Sequence, residues 1–455
     1  MTLRLNTLPS ILFALAASAL TGCGLGSGGP LSPTQTAVPA AVSLKGTVFG
    51  GSQAIGDATI QLYAAGSTGY GSAYSYATGT SLLGNNVVQT ASDGTGSFSL
   101  QNTFTCPAGN PEVYLVATGG NPGLTNGTNT NIALMAALGP CLGITSSTHI
   151  HINEMTTVAS VWALSPFMTG IANLGSTASN ATGLANAFAT VNKLVAIGTG
   201  LPGGSALPAN AVLPVAKMNT LADALAACVN SPGGTAGSNS SCGTLFTAAT
   251  VGGVAPTDTI TAAMNIAQHP GANVPAIWGL ANSQSPFQSK LASAPTDWNL
   301  IVTYSGGGLS TPKGIAVDQG GNVWAANQSN NSVTKLDALG VTSTDATGFL
   351  SGSSGYTVGT LSSPVAVAID LNGNAWVANN GNSTVTQIAA SGSTGTVYNG
   401  GSLNAPSGLA VDASNNVWVA NGGNSSVTEI GSGGGYTNYP GSGIASPTAI
   451  AINPK

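Results

Sequence analysis

The feature that most constrains this chain is a repeat that begins at Trp298. Tyr304, Tyr356, Tyr398 and Tyr439 each stand eight residues before a proline, at Pro312, Pro364, Pro406 and Pro447. Three residues before each proline is an aliphatic side chain: Leu309, Leu361, Leu403 and Ile444. After the prolines come short β-type runs, the first three ending at Asp318, Asp370 and Asp412 and the fourth at Asn453. Six residues beyond each of those aspartates is a tryptophan, Trp324, Trp376 or Trp418, and nine further on is Val333, Val385 or Val427. The tryptophans are 52 and 42 residues apart. Several fixed offsets held together over such lengths mark one supersecondary unit used again and again.

Each unit has room for four short strands, the size of a β-propeller blade. Its pattern, as in Gly373-Asn-Ala-Trp-Val-Ala-Asn379, resembles that of NHL-repeat proteins and of the related virginiamycin B lyase-like propellers. The tryptophans alternate with polar asparagines on the second strand, so they are expected to wedge between blades rather than stack on a ligand. Asp318, Asp370 and Asp412 end the first strand before a hairpin, where a carboxylate accepts turn N–H groups; a metal role is the rival reading. Four first strands but only three tryptophan strands predict three full units and one partial unit over 296–455, with an outer strand near Ile301 and an inner strand near Ile450. We expect an open arc, able to self-associate through its free edges.

Composition closes off other classes. Charged residues are 5% of the 455 residues, and eight Lys+Arg cannot build a phosphate-tracking surface, so nucleic acid is not expected as a partner. The 39 asparagines outnumber all the charges, and with 64 glycines they favour strands joined by tight turns. The predicted class is multidomain and mainly β: an N-terminal β-sandwich, a small α-helical domain and the C-terminal incomplete propeller.

The N-terminus reads as an address. Residues 1–22 have a basic Arg4, an apolar Ile11–Leu20 run too short to span a bilayer, and Leu20-Thr21-Gly22-Cys23, which resembles a bacterial lipobox. Cys23 is the expected lipidation site, and acylation would tie the chain to the membrane. Gly24 after the cysteine favours the outer membrane of a bacterial envelope, on the periplasmic face or the cell surface. Residues 23–40 read as a flexible tether. The four other cysteines, an even number in an exported chain, imply disulfides. Proximity favours Cys106–Cys141 and Cys228–Cys242.

Residues 41–120 alternate as strands. Val42–Phe49 is a strand broken by Gly46, Ala58–Tyr63 a second, and Ser97–Leu100 and Val113–Ala117 follow. Gly46-Thr-Val-Phe-Gly50, Gly56-Asp-Ala-Thr-Ile-Gln-Leu-Tyr63 and Asp93-Gly-Thr-Gly-Ser-Phe98 resemble the carboxypeptidase-regulatory-like (transthyretin-like) sandwich. Such domains usually serve as spacers. The insert from Gly66 to Thr80 carries Tyr70, Tyr74 and Tyr76, as a decorated loop or as a sugar contact. Over 121–295 the period becomes helical, with helices expected at 153–164 (Asn153 as N-cap), 183–197, 218–229, 259–268 and 274–281.

Little in the chain suggests chemistry. Gly-x-Ser-x-Gly is absent, and no lysine follows a glycine, so neither a nucleophile elbow nor a phosphate loop is present. The three histidines, His149, His151 and His269, all lie before the repeats, and Glu429 is the only glutamate within them. The resembling lyases depend on propeller histidine and acidic residues, so this departure argues against that activity. One cluster has metal-ligand spacing: His149 and His151 would share a strand face, with Glu154 on the following helical turn. A strand edge running into a helix explains the same letters. We therefore expect no catalytic residues and no cofactor, a membrane contact through the lipid, and a protein or glycan partner at the repeats. A propeller-based enzyme and a purely structural surface protein are the alternatives.

Overall fold

Strand β1 (Val42–Gly50) does not break at Gly46 but runs through it. A Cβ there would lie 2.0 Å from the Ile150 carbonyl oxygen, so glycine is what allows the neighbouring strand to approach. The computed structural model describes residues 42–74, 81–84, 86–125, 127–145, 149–282, 286–338, 348–441 and 443–453. The leader, Cys23, the tether and Tyr76 lie outside these residues.

The sandwich has two sheets. In the first, β1 pairs antiparallel with β2 (Gln53–Ala54) and β5 (Ser97–Phe104), and parallel with β8 (His149–Ile152). The second has the order β4 (Val88–Gln89), β3 (Thr59–Ala64), β6 (Glu112–Thr118), β7 (Ala133–Pro140). Leu44, Leu100 and Ile150 of the first sheet meet Ile60, Leu62, Leu115 and Leu134 of the second in one buried core. The sulfurs of Cys106 and Cys141 lie at disulfide distance beside it, and those of Cys228 and Cys242 likewise pair, both in the expected connectivity.

The second sheet is covered on its other face as well. Tyr114, Val116 and Met135 pack on helices α1 (Glu154–Leu164), α2 (Ala181–Leu194), α3 (Val215–Val229), α4 (Ser241–Ala248), α5 (Thr259–Gln268) and α6 (Val274–Leu280). The result is three layers, with β6 and β7 buried on both sides. Two corrections to the sequence reading follow. β7 falls in the span expected to be helical, where only the strand of His149 and His151, now β8, was foreseen, and α4 was not expected. Buried on both faces, the Ala-Leu-Met-Ala-Ala-Leu run of β7 has no alternation to mark it as a strand. Its outer edge is closed by helix hydroxyls. Thr259, Thr157 and Ser160 accept hydrogen bonds from the N–H groups of Ala133, Met135 and Ala137 at 2.9–3.0 Å. An edge strand is thereby satisfied without another strand.

Helix α1 starts as expected. The Asn153 side chain accepts from the Thr156 N–H, and the Thr156 hydroxyl accepts from the Asn153 N–H, each at 2.9 Å.

The repeats form three blades. Blade 1 has strands Pro312–Val317, Val323–Asn327 and Ser332–Leu336, with Tyr356 and Phe349 bridged to the third. Blade 2 has Pro364–Ile369, Ala375–Asn379, Thr384–Ile388 and Gly395–Tyr398. Blade 3 has Pro406–Val411, Val417–Asn421, Ser426–Ile430 and Tyr436–Pro440. Among the described residues they make an open arc and no closed ring.

Both partial strands differ from expectation. Thr303–Tyr304 pairs with Ala211–Val212 from the helical region rather than with a blade. Residues 447–453 lie along the inner strand of blade 3: Ser407 donates to the Pro447 carbonyl, and a Cβ on Gly408 would lie 3.0 Å from the Ala449 Cα. Gly314 of blade 1 faces Ala366 of blade 2 in the same way. The segment thus takes the place of a next inner strand but forms no ladder among the described residues.

Candidate functional site

Each blade is locked by one clasp, built on its repeated aspartate and tryptophan. The aspartate that ends the inner strand accepts the indole N–H of the tryptophan six residues on. The three Nε1–Oδ2 distances, Trp324 to Asp318, Trp376 to Asp370 and Trp418 to Asp412, are all 3.0 Å. The other carboxylate oxygen accepts turn N–H groups, those of Asn322, Asn374 and Asn416 among them, at 2.8–2.9 Å. Burial alone would raise these three carboxyls, but the hydrogen bonds from the asparagines and the indoles outweigh it and hold all three below the ordinary value. The turn role expected from the sequence is therefore present. The indole bond was missed, though the constant offset of six was its signal.

The repeated tyrosine also finds its reason. Tyr356, Tyr398 and Tyr439 pack their rings on Trp324, Trp376 and Trp418 at centroid distances of 5.8, 4.9 and 5.6 Å. Asn327, Asn379 and Asn421, buried at the end of each second strand, donate to a Ser or Thr hydroxyl five residues on and to a Thr hydroxyl seven on.

The wedge expected of the tryptophans holds for two of them. Trp324 shares a buried cluster with Leu361 and Val367 of blade 2, and Trp376 one with Leu403 and Leu409 of blade 3. Trp418, on the last blade, is only half-buried. The residue opposite each tryptophan on the third strand varies: Lys335, Gln387, Glu429. Lys335 pairs with Asp318 at 3.3 Å, covers the Trp324 ring and donates to the Ala390 carbonyl of blade 2. Gln387 donates to Asp370 at 3.3 Å. Glu429 instead accepts from the Tyr439 hydroxyl at 2.9 Å.

The two sides of the arc differ. The entrance face of blade 2 carries Val367 and that of blade 3 carries Leu409, each 8% exposed beneath the preceding blade. At the same positions blade 1 has Ile315, 71% exposed, with Val317 beside it at 61%. Blade 1 is joined to the helices at its rim, where Asn186 donates to the Gly320 carbonyl at 3.0 Å and Lys193 to that of Ala338. Its apolar entrance is left bare.

The metal reading is corrected by where Glu154 points. His149 and His151 do share one face of β8, with Ile150 and Ile152 buried behind them. Glu154 turns away and is fully buried, its Oε2 accepting from the Gly51 N–H at 2.9 Å. Among the described residues no three His, Cys, Asp or Glu side chains gather closely enough to hold a metal. Burial pushes the Glu154 carboxyl up to about 8, with nearby Asp223 adding to the rise. Asp223, also buried, is pushed up to about 6 although the Phe287 N–H and Lys290 oppose the shift. Sequence reasoning missed this buried acid pair, because 69 residues separate its members. Tyr70 of the insert is engaged, stacked on Phe167 with its hydroxyl accepting from Asn180 at 2.7 Å.

No family model and no curated protein matches the chain. Solved structures show a partial likeness to the chain. A streptogramin B lyase is 18% identical with a TM-score of 0.24, over 30% of this chain and 42% of that one. A virginiamycin B lyase from Staphylococcus aureus is 19% identical with a TM-score of 0.27, over 33% and 48%. The extracellular domain of a one component system from B. thetaiotaomicron is 19% identical with a TM-score of 0.22, over 31% and 18%. The chain spans less than half the length of each. The chain is mainly β, with several small sheets.

Proposed function

We propose that this chain is a non-catalytic protein of the bacterial cell envelope, lipid-anchored at Cys23, that holds a partner protein on the open entrance of its arc. One observation carries the reading: the apolar position buried in blades 2 and 3, at Val367 and Leu409, is bare in blade 1 at Ile315, with exposed Val317 beside it. Within the chain, that position receives an aromatic and aliphatic ridge from the preceding blade. A partner with such a ridge would bury the same surface, and an apolar face of this kind suits protein better than glycan. The non-catalytic reading is supported by the repeat aspartates, whose oxygens are all engaged in their own turns and indoles.

The test is a photo-cross-linking residue at position 315, with a control at the exposed Val254. The expected result is one protein adduct in the native envelope, specific to position 315 and lost in Val317→Asp. Adducts equal at both positions would overturn the reading, and an adduct whose mass is twice the chain would make the partner a second copy. Cys23→Ala should release the protein from the membrane; intact mass showing no acyl chains on the wild type would remove the anchor.

A further inference from the structure

The loss of Glu154 from the metal cluster leaves His149 with different company. Alternation along β1 turns Leu44 and Val48 inward, so Lys45 and Thr47 face out. Register then aligns side chains across three strands. Ser99, Lys45 and His149 form one row, and Ser97, Thr47 and His151 the next. His151 is held in place, its Nδ1 2.8 Å from the Thr47 hydroxyl and its ring against Phe49. Burial, followed by the neighbouring His149, lowers its pKa. Lys45 and His149 remain free to act on a ligand.

These two line a cavity of about 460 Å³ together with Thr47, Ser97, Ser99 and Gln89. That is the size of a small-molecule cleft. The chain is poor in charge, and its other cations are mostly occupied. Lys193 and Lys290 donate to backbone carbonyls, and Lys217 and Lys335 pair with aspartates. Lys45 has no such partner among the described residues, and no acidic side chain lines the cavity. Such a place presents one cation and one imidazole to an anion, ringed by hydroxyls and an amide able both to give and to accept hydrogen bonds.

We infer that the outer face of the β5–β1–β8 sheet is a binding site for an acidic saccharide, with Lys45 and His149 on its carboxylate or phosphate and Thr47, Ser97, Ser99 and Gln89 on its hydroxyls. The site lies on the sandwich, so it stands apart from the arc and from the partner proposed there.

Calorimetric titration of the full chain in detergent tests it, with glucuronic acid, glucose 6-phosphate, glucose and inorganic phosphate as probes. Either acidic sugar should saturate, and which one does so identifies the anion. Glucose, and phosphate alone, should bind at least about tenfold more weakly, since each loses one half of the recognition. Lys45→Ala should weaken the acidic sugar by about tenfold or more, the loss of a charge-assisted hydrogen bond, and Lys45→Arg should recover part of it. Both variants should melt like the wild type, because Lys45 is exposed. The inference is overturned if neither acidic sugar saturates, if glucose or free phosphate binds equally well, or if Lys45→Ala changes nothing. Zinc binding at His149 without any response to the sugars would overturn it too.

Discussion

The three-layer body and the arc bury their strands by opposite means. In the body, one continuous core joins the second sheet to six helices, and residues far apart in the chain meet there. In the arc, each seam has its own small cluster of about eight buried residues, drawn from neighbouring repeats. Damage to the body should therefore spread, while damage to the arc should depend on which seam is struck.

The largest effect should test that dependence. Trp324→Ala removes a fully buried indole and should cost about 3–5 kcal/mol, whereas Trp418→Ala, at the half-buried end, should cost less than half as much. Denaturant midpoints on both variants check this, and equal losses would break the picture of separate seams.

Within the body, replacing Cys228 and Cys242 together by alanine opens a loop of 14 residues. The loss should be about 3 kcal/mol, and every spectroscopic probe of the body should shift together.

The buried acids sharpen the contrast through pH. Glu154 titrates higher in the folded chain than in the unfolded one, so its contribution is full below about pH 4.5 and is lost as pH rises through about 8. Asp223 acts in the same sense, with its loss complete near pH 6. Body stability should therefore fall across this window, by up to about 1.4 kcal/mol per pH unit for each group titrating. Glu154→Gln should flatten the upper part of the profile. The repeat aspartates, held low, act with the opposite sign: their contribution is present above the unfolded value and is lost as acid protonates them. Thermal melts between pH 3 and 8 should show the arc weakening in acid and the body in base; parallel profiles would break the comparison.

The smallest effect concerns the bare entrance. Ile315→Asp should alter stability by less than about 0.5 kcal/mol, as a change at an exposed site. Leu409→Asp, its covered counterpart, should unfold blade 3. A large loss from Ile315→Asp would mean that something in the chain covers that face.

The same contrast explains what could be read in advance. The arc was readable because its offsets are bond lengths in disguise: six residues bring Trp324 to Asp318, and five and seven bring Asn327 to Ser332 and Thr334. Local hydrogen bonds leave fixed spacings in a sequence. The body leaves none. Strand β7 has no alternation because both its faces are buried, and Met135 finds Thr157 only through the tertiary fold. Glu154 was placed rightly on the first turn of α1 and wrongly beside the histidines, because spacing fixes a side chain's turn but not what lies opposite. His149 met Lys45 for the same reason, through a parallel pairing of strands 104 residues apart.

The variation from Lys335 through Gln387 to Glu429 gives the arc a direction. Three blades with one backbone plan would otherwise be interchangeable, like identical links. Instead each carries its rank as a charge, positive first, neutral second, negative last. Lys335 also reaches across the seam to the Ala390 carbonyl, something neither Gln387 nor Glu429 does. A blade moved to another position would bring the wrong charge to its neighbour. The order of the repeats is thus part of the molecule's chemistry, since the residue set against each tryptophan changes from cation to amide to carboxylate along the arc.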